Sequence, residues 1–153
     1  MKKALFTFVL LAPAVCFGDC SADAAVAVKF MNQYLAYTRS VTARSQRSIK
    51  SWLQSNILVS PGFVESYKAK EREGLKHDAE LGWDSDMIFD ASDSPDKGFQ
   101  LFRCSRNTGY VQLRGIDLPQ FKVTVRVAST SQGLKVVGAG MINIPEGERA
   151  ERY

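Results

Sequence analysis

A single histidine, three cysteines and no Cys-x-x-Cys pair leave this chain of 153 residues without a legible metal centre. No nucleophile motif accompanies that histidine, so no catalytic residue, metal ligand or cofactor is assigned from the sequence. No apolar run reaches the ~20 residues a membrane-spanning helix needs. The first such run, Ala4 to Ala14, is about half that length and carries the helix breaker Pro13. Internal repeats, low-complexity tracts and interdomain linkers are also missing, which leaves one domain as the reading.

What is present begins at the N-terminus. Met1-Lys2-Lys3 is a short positive start, the uncharged run follows, and Cys16-Phe17-Gly18 places small residues where a signal peptidase reads. Residues 1–18 are therefore expected to be a signal peptide, and 19–153 a single exported α+β domain. A rival cut follows Ala24. Neither Cys16 nor Cys20 has the preceding residues of a lipid-attachment site, so a soluble periplasmic protein without a membrane anchor is expected rather than a lipid-anchored one. The cut decides the cysteine chemistry. After Gly18, Cys20 and Cys104 remain as an even pair in an oxidising compartment, and a disulfide is expected. After Ala24, Cys104 is alone and reads as a small buried hydrophobe.

Lys plus Arg number 20 against 16 Asp plus Glu. Losing Lys2 and Lys3 leaves 18 cations against the same 16 carboxylates, a net charge near +2. So slight an excess is not a nucleic-acid footprint, and no nucleic-acid partner is expected.

The periodicity then divides the chain. Ala24 to Thr38 predicts a helix with Val28, Met31, Leu35 and Thr38 on one stripe and Phe30, Tyr34 and Tyr37 on the next, so wide an apolar surface that it should be covered on more than one side. Arg39 to Arg47 is polar and basic. Ser48 to Ile57 resumes the helical period. Ser60-Pro61 is an N-cap followed by proline at the first helical position, opening a helix toward Ala79 that Gly74 ends or interrupts. Gly82 to Gly98 has no period and reads as a structured acidic loop with apolar anchors. From Phe99 the period becomes two. Phe99, Leu101 and Arg103 alternate with Gln100, Phe102 and Cys104. Asn107-Thr108-Gly109 is a turn, and Tyr110 to Arg114 the next strand. Phe121, Val123, Val125 and Val127 predict a core face, with Lys122, Thr124 and Arg126 on a wet one. Leu134 to Ile144 is the last strand, with a bulge or bend at Gly138 and Gly140. A charged tail follows from Glu146 to Tyr153. The plan is α+β: N-terminal helices packed on a curved four-strand antiparallel sheet.

The Phe30 to Tyr37 segment, helices before a sheet, and the loop Asp86-Met87-Ile88-Phe89-Asp90-Ala91-Ser92-Asp93-Ser94-Pro95 together resemble the nuclear transport factor 2-like, or cystatin-like, superfamily. Within it the chain is most similar to a bacterial exported family of unknown function. The related pattern usually carries Gln where this chain has Ser92. The resemblance implies a cystatin-like roll with a cavity between the bent sheet and the long helix. Fold alone does not supply function there.

Four constellations are candidate contacts. Asp84, Asp86, Asp90 and Asp93 beside Trp83 offer oxygen ligands for a cation, a partner surface, or local turn caps. The EF-hand spacing fails, since Ile88 occupies a ligand position and the central glycine is missing. His77 reads as a solvated residue or as a general base with Asp78 or a loop aspartate. Arg114, Lys122 and Arg126 share the outer sheet face with Thr124, either as an ordinary solvated face or as a patch for an acidic partner, and no aromatic residues are expected between them. Tyr34, Trp52, Trp83 and Phe89 read as core or as the lining of a ligand cavity.

The first functional expectation is an exported non-enzymatic domain that binds a protein or small-molecule ligand in the periplasm. The second is an immunity or inhibitor protein that neutralises a toxin or hydrolase acting there. The third, a hydrolase or isomerase working in the cavity, lacks a legible acid–base pair.

Overall fold

The computed structural model describes residues 20–40, 48–105 and 107–151. The expected signal segment, Cys16, most of the basic stretch after Arg39 and the last two residues of the tail lie outside them. Three helices precede four strands. They are α1 (Ser21–Ser40), α2 (Ile49–Ser55), α3 (Pro61–His77), β1 (Phe99–Ser105), β2 (Tyr110–Gly115), β3 (Lys122–Thr130) and β4 (Gly133–Ala139). The strands form one antiparallel sheet in the order β1-β2-β3-β4, so the α+β plan is as expected.

The caps follow local chemistry. Ser48 and Ser60 accept hydrogen bonds from the backbone N–H groups of Ser51 and Phe63, and Pro61 opens α3, where a missing N–H costs nothing. Gly74 does not end α3. The Trp83 indole lies across it: a β-carbon there would come within 2.5 Å of the ring. Trp83 Nε1 donates to the Lys70 carbonyl at 2.8 Å, and the Lys70 ammonium sits 4.5 Å from the ring centroid. The glycine is a docking notch for the loop, and the helix continues past it to His77.

α1 buries Ala24, Ala27, Phe30, Met31, Tyr34 and Leu35 at helical spacing against the inner sheet face. Phe99, Val111, Leu113, Val123, Val125, Val127 and Val136 answer from the strands. On its other flank α1 meets Trp52 of α2, 6.0 Å from Phe30 and 5.1 Å from Tyr37 between ring centroids. Both flanks are covered, as its wide apolar surface predicts. The cavity implied by the resemblance is not what this interior shows. Phe30, Met31, Tyr34, Phe63, Phe99 and Leu113 fill that space, each at most 1% exposed.

Three features of the sheet depart from the sequence expectation. In β1 the register slips between Leu101 and Arg103, so strict alternation fails and Phe102 and Arg103 oppose a single partner, Gln112. In β4 a second slip falls near Gly138, where a bulge or bend was expected. That strand also stops at Ala139 rather than Ile144, because Gly140 turns the chain at φ +56° with its N–H on the Thr124 carbonyl, 3.0 Å away. Its missing β-carbon would meet the carbonyl oxygens of Met87 and Ile88 at 2.5 and 2.4 Å, so this turn is also where the acidic loop docks. Finally, Thr124 is not wet: it is 1% exposed.

Both sheet edges are managed. Val59 pairs with Val136 and covers β4. On β1 the Asn32 side chain of α1 satisfies both backbone groups of Phe99, at 2.7 and 3.1 Å. Cys20 and Cys104 are disulfide-linked, tying the start of α1 to β1.

Two predictions follow from this packing. Intact mass on oxidised protein should rise by the mass of two hydrogen atoms on reduction. Removing the bridge, which spans 84 residues of sequence, should lower stability by about 4–5 kcal/mol in the loop-entropy account. An unchanged denaturation midpoint in a Cys20→Ser/Cys104→Ser variant would contradict it. For the notch, Gly74→Ala should lose about 1 kcal/mol despite gaining about 1 kcal/mol of helix propensity, because overpacking costs about 1–3 kcal/mol. Gly62→Ala in the same helix, where a β-carbon meets nothing within 4 Å, should lose nothing. Urea midpoints compare the two.

Candidate functional site

The four strands hold five cations, Arg103, Arg114, Lys122, Arg126 and Lys135, and not one carboxylate. Register places most of them together. Arg114 lies opposite Lys122, Gln112 opposite Thr124, and Tyr110 opposite Arg126. Gln100 lies opposite Arg114, and Arg103 opposite Gln112. The alternate residues Val111, Leu113, Val123 and Val125 fill the core, so this set forms the outer face. Lys135 is turned to the β4 edge, where its ammonium donates to the Ile57 carbonyl.

Phe102 is the centre of the open half of that face. The β1 bulge delivers it there, 41% exposed. Lys122 Nζ stands 4.9 Å and Arg114 Cζ 5.8 Å from its ring centroid. Arg103 donates to Gln112 Oε1 at 2.8 Å, and Arg126 Cζ lies 5.5 Å from the Tyr110 ring. The expectation that no aromatic lies among these cations is thus overturned: the bulge and the register supply two. Like charges directly opposite across a ladder cost stability, and cation–π contacts return only about 0.5–1 kcal/mol each at exposed sites. Arg114 Nε is buried and has no hydrogen-bond partner among the described residues. Such a group costs roughly 1–3 kcal/mol until an acceptor arrives. The Arg114 guanidinium is therefore held at a cost.

The other half of the face is covered by the chain itself. After Gly140 the C-terminal segment folds back, and the Glu148 carbonyl accepts the Thr124 hydroxyl at 2.9 Å, which is why Thr124 is buried. Ile144, 3% exposed, packs on Gly138, where a β-carbon would come within 2.9 Å of its Cδ1. That anchor contributes about 1.5–3 kcal/mol by burial. Asn143, at φ +56°, donates to the Val137 carbonyl at 2.9 Å. This strap carries Glu146, Glu148 and Glu151. Glu151 lines one cleft with Lys122 and Phe121.

The acidic loop is organised differently. Asp86 turns inward: Oδ1 accepts the N–H groups of Ile88 and Phe89, both at 2.8 Å, and Oδ2 accepts the Tyr34 hydroxyl at 2.6 Å. It is a turn cap that also satisfies a buried phenol. Asp84 and Asp93 are exposed, while Asp90 is buried at φ +56°. Among the described residues no three His, Cys, Asp or Glu side chains gather where they would hold a metal ion. His77 is exposed, its ring 5.7 Å from that of Trp83. Of the four aromatics read as core or as a possible lining, Tyr34 packs between Trp52 and Phe89, 5.5 and 4.9 Å away between ring centroids, and Trp83 stands apart. Tyr34 and Phe89 are in the core, Trp52 lies across α1, and Trp83 lies on α3.

A cleft of about 260 Å³ remains beside Tyr67, Leu75, Leu81, Trp83 and Met87. Its two carboxylates are engaged, Glu71 with Lys50 at 2.9 Å and Asp86 with Tyr34. The outer sheet face is the site where cations gather on strands that carry no carboxylate. Sequence reasoning reached Arg114, Lys122 and Arg126 there, but missed Arg103, Phe102, Tyr110 and the strap. The signal for Arg103 was present, in strands that carry cations alone. The signal for Phe102 was not, since a bulge leaves no mark on the alternation. The chain matches no protein-family model, no curated protein and no solved structure.

The buried phenols give a prediction. Burial, then the nearby Asp86 charge, raises Tyr34 well above an ordinary tyrosine, and the same two causes raise Tyr67. In the unfolded chain both titrate near about 10. Above that pH the unfolded state binds fewer protons than the folded one, so stability is full below about pH 10 and falls as pH rises beyond it. Urea midpoints should decline above that pH, and less steeply in Tyr67→Phe. Phenolate absorbance should show two tyrosines ionising only with unfolding.

Proposed function

We propose that this protein is an exported, non-enzymatic binding domain of the bacterial periplasm that meets an anionic partner with the outer face of its sheet. One observation carries the reading: a sheet with cations and no carboxylates keeps Arg114 and Lys122 face to face beside a half-exposed Phe102. A filled interior favours a partner taken on the surface over a small molecule taken inside. The disulfide supports an oxidising compartment. It also supports a cut after Gly18, because a cut after Ala24 would remove Cys20 and the first turn of α1. Helices ahead of an antiparallel sheet support the resemblance to the cystatin-like roll in layout. An immunity or inhibitor protein is the form this reading takes where the anionic partner is a toxin or hydrolase.

The test uses charge at constant fold. In periplasmic extract, wild-type protein should retain a partner that Arg114→Gln/Lys122→Gln/Arg126→Gln loses. Lys68→Gln/Arg72→Gln/Lys76→Gln, an equal charge change on α3, should retain it. Equal retention by both variants, or recovery of the protein from the cytoplasm alone, would overturn the proposal.

A further inference from the structure

We infer that the cleft between α3 and the acidic loop binds a small organic amine, its ammonium held by Tyr67 and Glu71 and its hydrocarbon body by Leu75, Leu81, Trp83 and Met87. The cleft shares no residue with the outer sheet face, so this site goes beyond the reading above and is independent of it.

The site starts from one side of a helix. Tyr67, Glu71 and Leu75 recur every four residues along α3, which stacks them on a single face. The loop supplies the rest of the lining. Trp83 is fixed over Gly74 by its hydrogen bond to the Lys70 carbonyl, and Met87 sits inside the turn that Asp86 caps. The cleft holds about 260 Å³, just under the roughly 300–1,000 Å³ of drug-sized pockets, so its occupant is small.

Tyr67 marks this cleft as a ligand site. The residue is 5% exposed, yet its hydroxyl makes no hydrogen bond with any described residue. Its oxygen is not sealed into the core either, and opens on the cleft. A phenol buried this far ordinarily has a partner, as Tyr34 has in Asp86.

Charge selects what that partner is. Glu71 Oε2 accepts the Lys50 ammonium at 2.9 Å, and its second oxygen has no partner among the described residues. Asp86 is engaged by Tyr34 and two loop N–H groups, all neutral donors, so it holds no ligand but adds negative charge behind the cleft. Both carboxylates oppose an anion there. Burial, then the charges of Asp86 and Glu71, keep the proton on Tyr67 at neutral pH, and its lone pairs are left to accept an ammonium N–H. The remaining walls are apolar, and at the mouth Leu75 and Leu81 are 45% and 76% exposed. A hydrocarbon body covers them, which a bare ammonium ion would not do.

The experiment titrates isotope-labelled protein with phenethylamine and hexylamine, reading backbone amide shifts. Phenethyl alcohol and phenylpropionate are the neutral and anionic counterparts. The amines should shift the amides of Tyr67, Glu71, Leu81 and Met87, and phenylpropionate should not. Glu71→Gln should weaken amine binding by about tenfold or more, and Tyr67→Phe by about threefold to tenfold. Because the Tyr67 hydroxyl has no protein partner to lose, Tyr67→Phe should leave the urea midpoint at neutral pH unchanged, which separates a role in binding from one in folding. Leu81→Ser should weaken binding with the polar groups intact. Equal binding of the alcohol and the amine, or amine affinity untouched by both Glu71→Gln and Tyr67→Phe, would overturn the inference. Tighter binding of Nα-acetyl-lysine methylamide than of either amine would overturn the free amine and assign the cleft to a partner's lysine. Failure of every amine to shift these amides would overturn it outright and leave the outer-face reading standing.

Discussion

Everything on the outer face depends on one helix closing the inner one. α1 spans the sheet and is fixed to the β1 side at three heights. Cys20 is bonded to Cys104 at its start, Asn32 holds both backbone groups of Phe99 midway, and Arg39 donates to the carbonyls of Pro95 and Asp96 near its end. These ties differ in kind, being covalent, neutral hydrogen bonds and a charge-assisted fork, so no single change of pH or salt releases all of them. Between them Phe30, Met31 and Tyr34 are fully buried. An inner face this occupied has no room for a ligand, which shifts the question of function to the surface.

The second constraint is close backbone approach. Gly74 admits the Trp83 indole, Gly138 admits Ile144, and Gly140 admits the carbonyls of the acidic loop. In each case a loop or tail is brought onto a regular element by the absence of a β-carbon. The consequence for the site is specific. Gly138 lets the strap lie flat on β4, and the strap in turn decides which half of the outer face stays open. Asp86 plays the matching part on the loop side. Its carboxylate caps the turn at Ile88 and Phe89 while accepting the Tyr34 hydroxyl, so it joins the loop to α1 and is withdrawn from any cation site.

Much of this was legible in the chain because its causes are local. Ser60-Pro61 acts within one turn of its own position, and the valines of β3 announce a core face through period two. The cysteine pair was legible through arithmetic and compartment. What was hidden depends on partners distant in sequence. A bulge at Phe102 exists only relative to Gln112, and alternation in Phe99 to Cys104 reads equally well without it. Gly74 looks like a helix end until Trp83 is placed on it. The tail from Glu146 has the composition of a solvated terminus, and only the Thr124 hydroxyl and the gap at Gly138 show that it is a packed strap. The filled interior was hidden for a similar reason, since the volume between helix and sheet is set by how the rings of α1, α3 and β1 interleave.

Net charge proved the least informative number in the sequence, because it averages over segregated parts. Among the described residues, helices and loops carry every carboxylate outside the tail, and the strands carry none. A near-neutral chain can therefore present one strongly cationic sheet. Within such a sheet, pairing like charges across a ladder is unfavourable, and simple solubility would be met as well by mixed signs. The fold places its own acidic strap on one half and keeps Arg114 opposite Lys122 on the other. Arg114 opposite Lys122 beside a half-exposed ring is a local arrangement that a whole-chain sum of charges conceals.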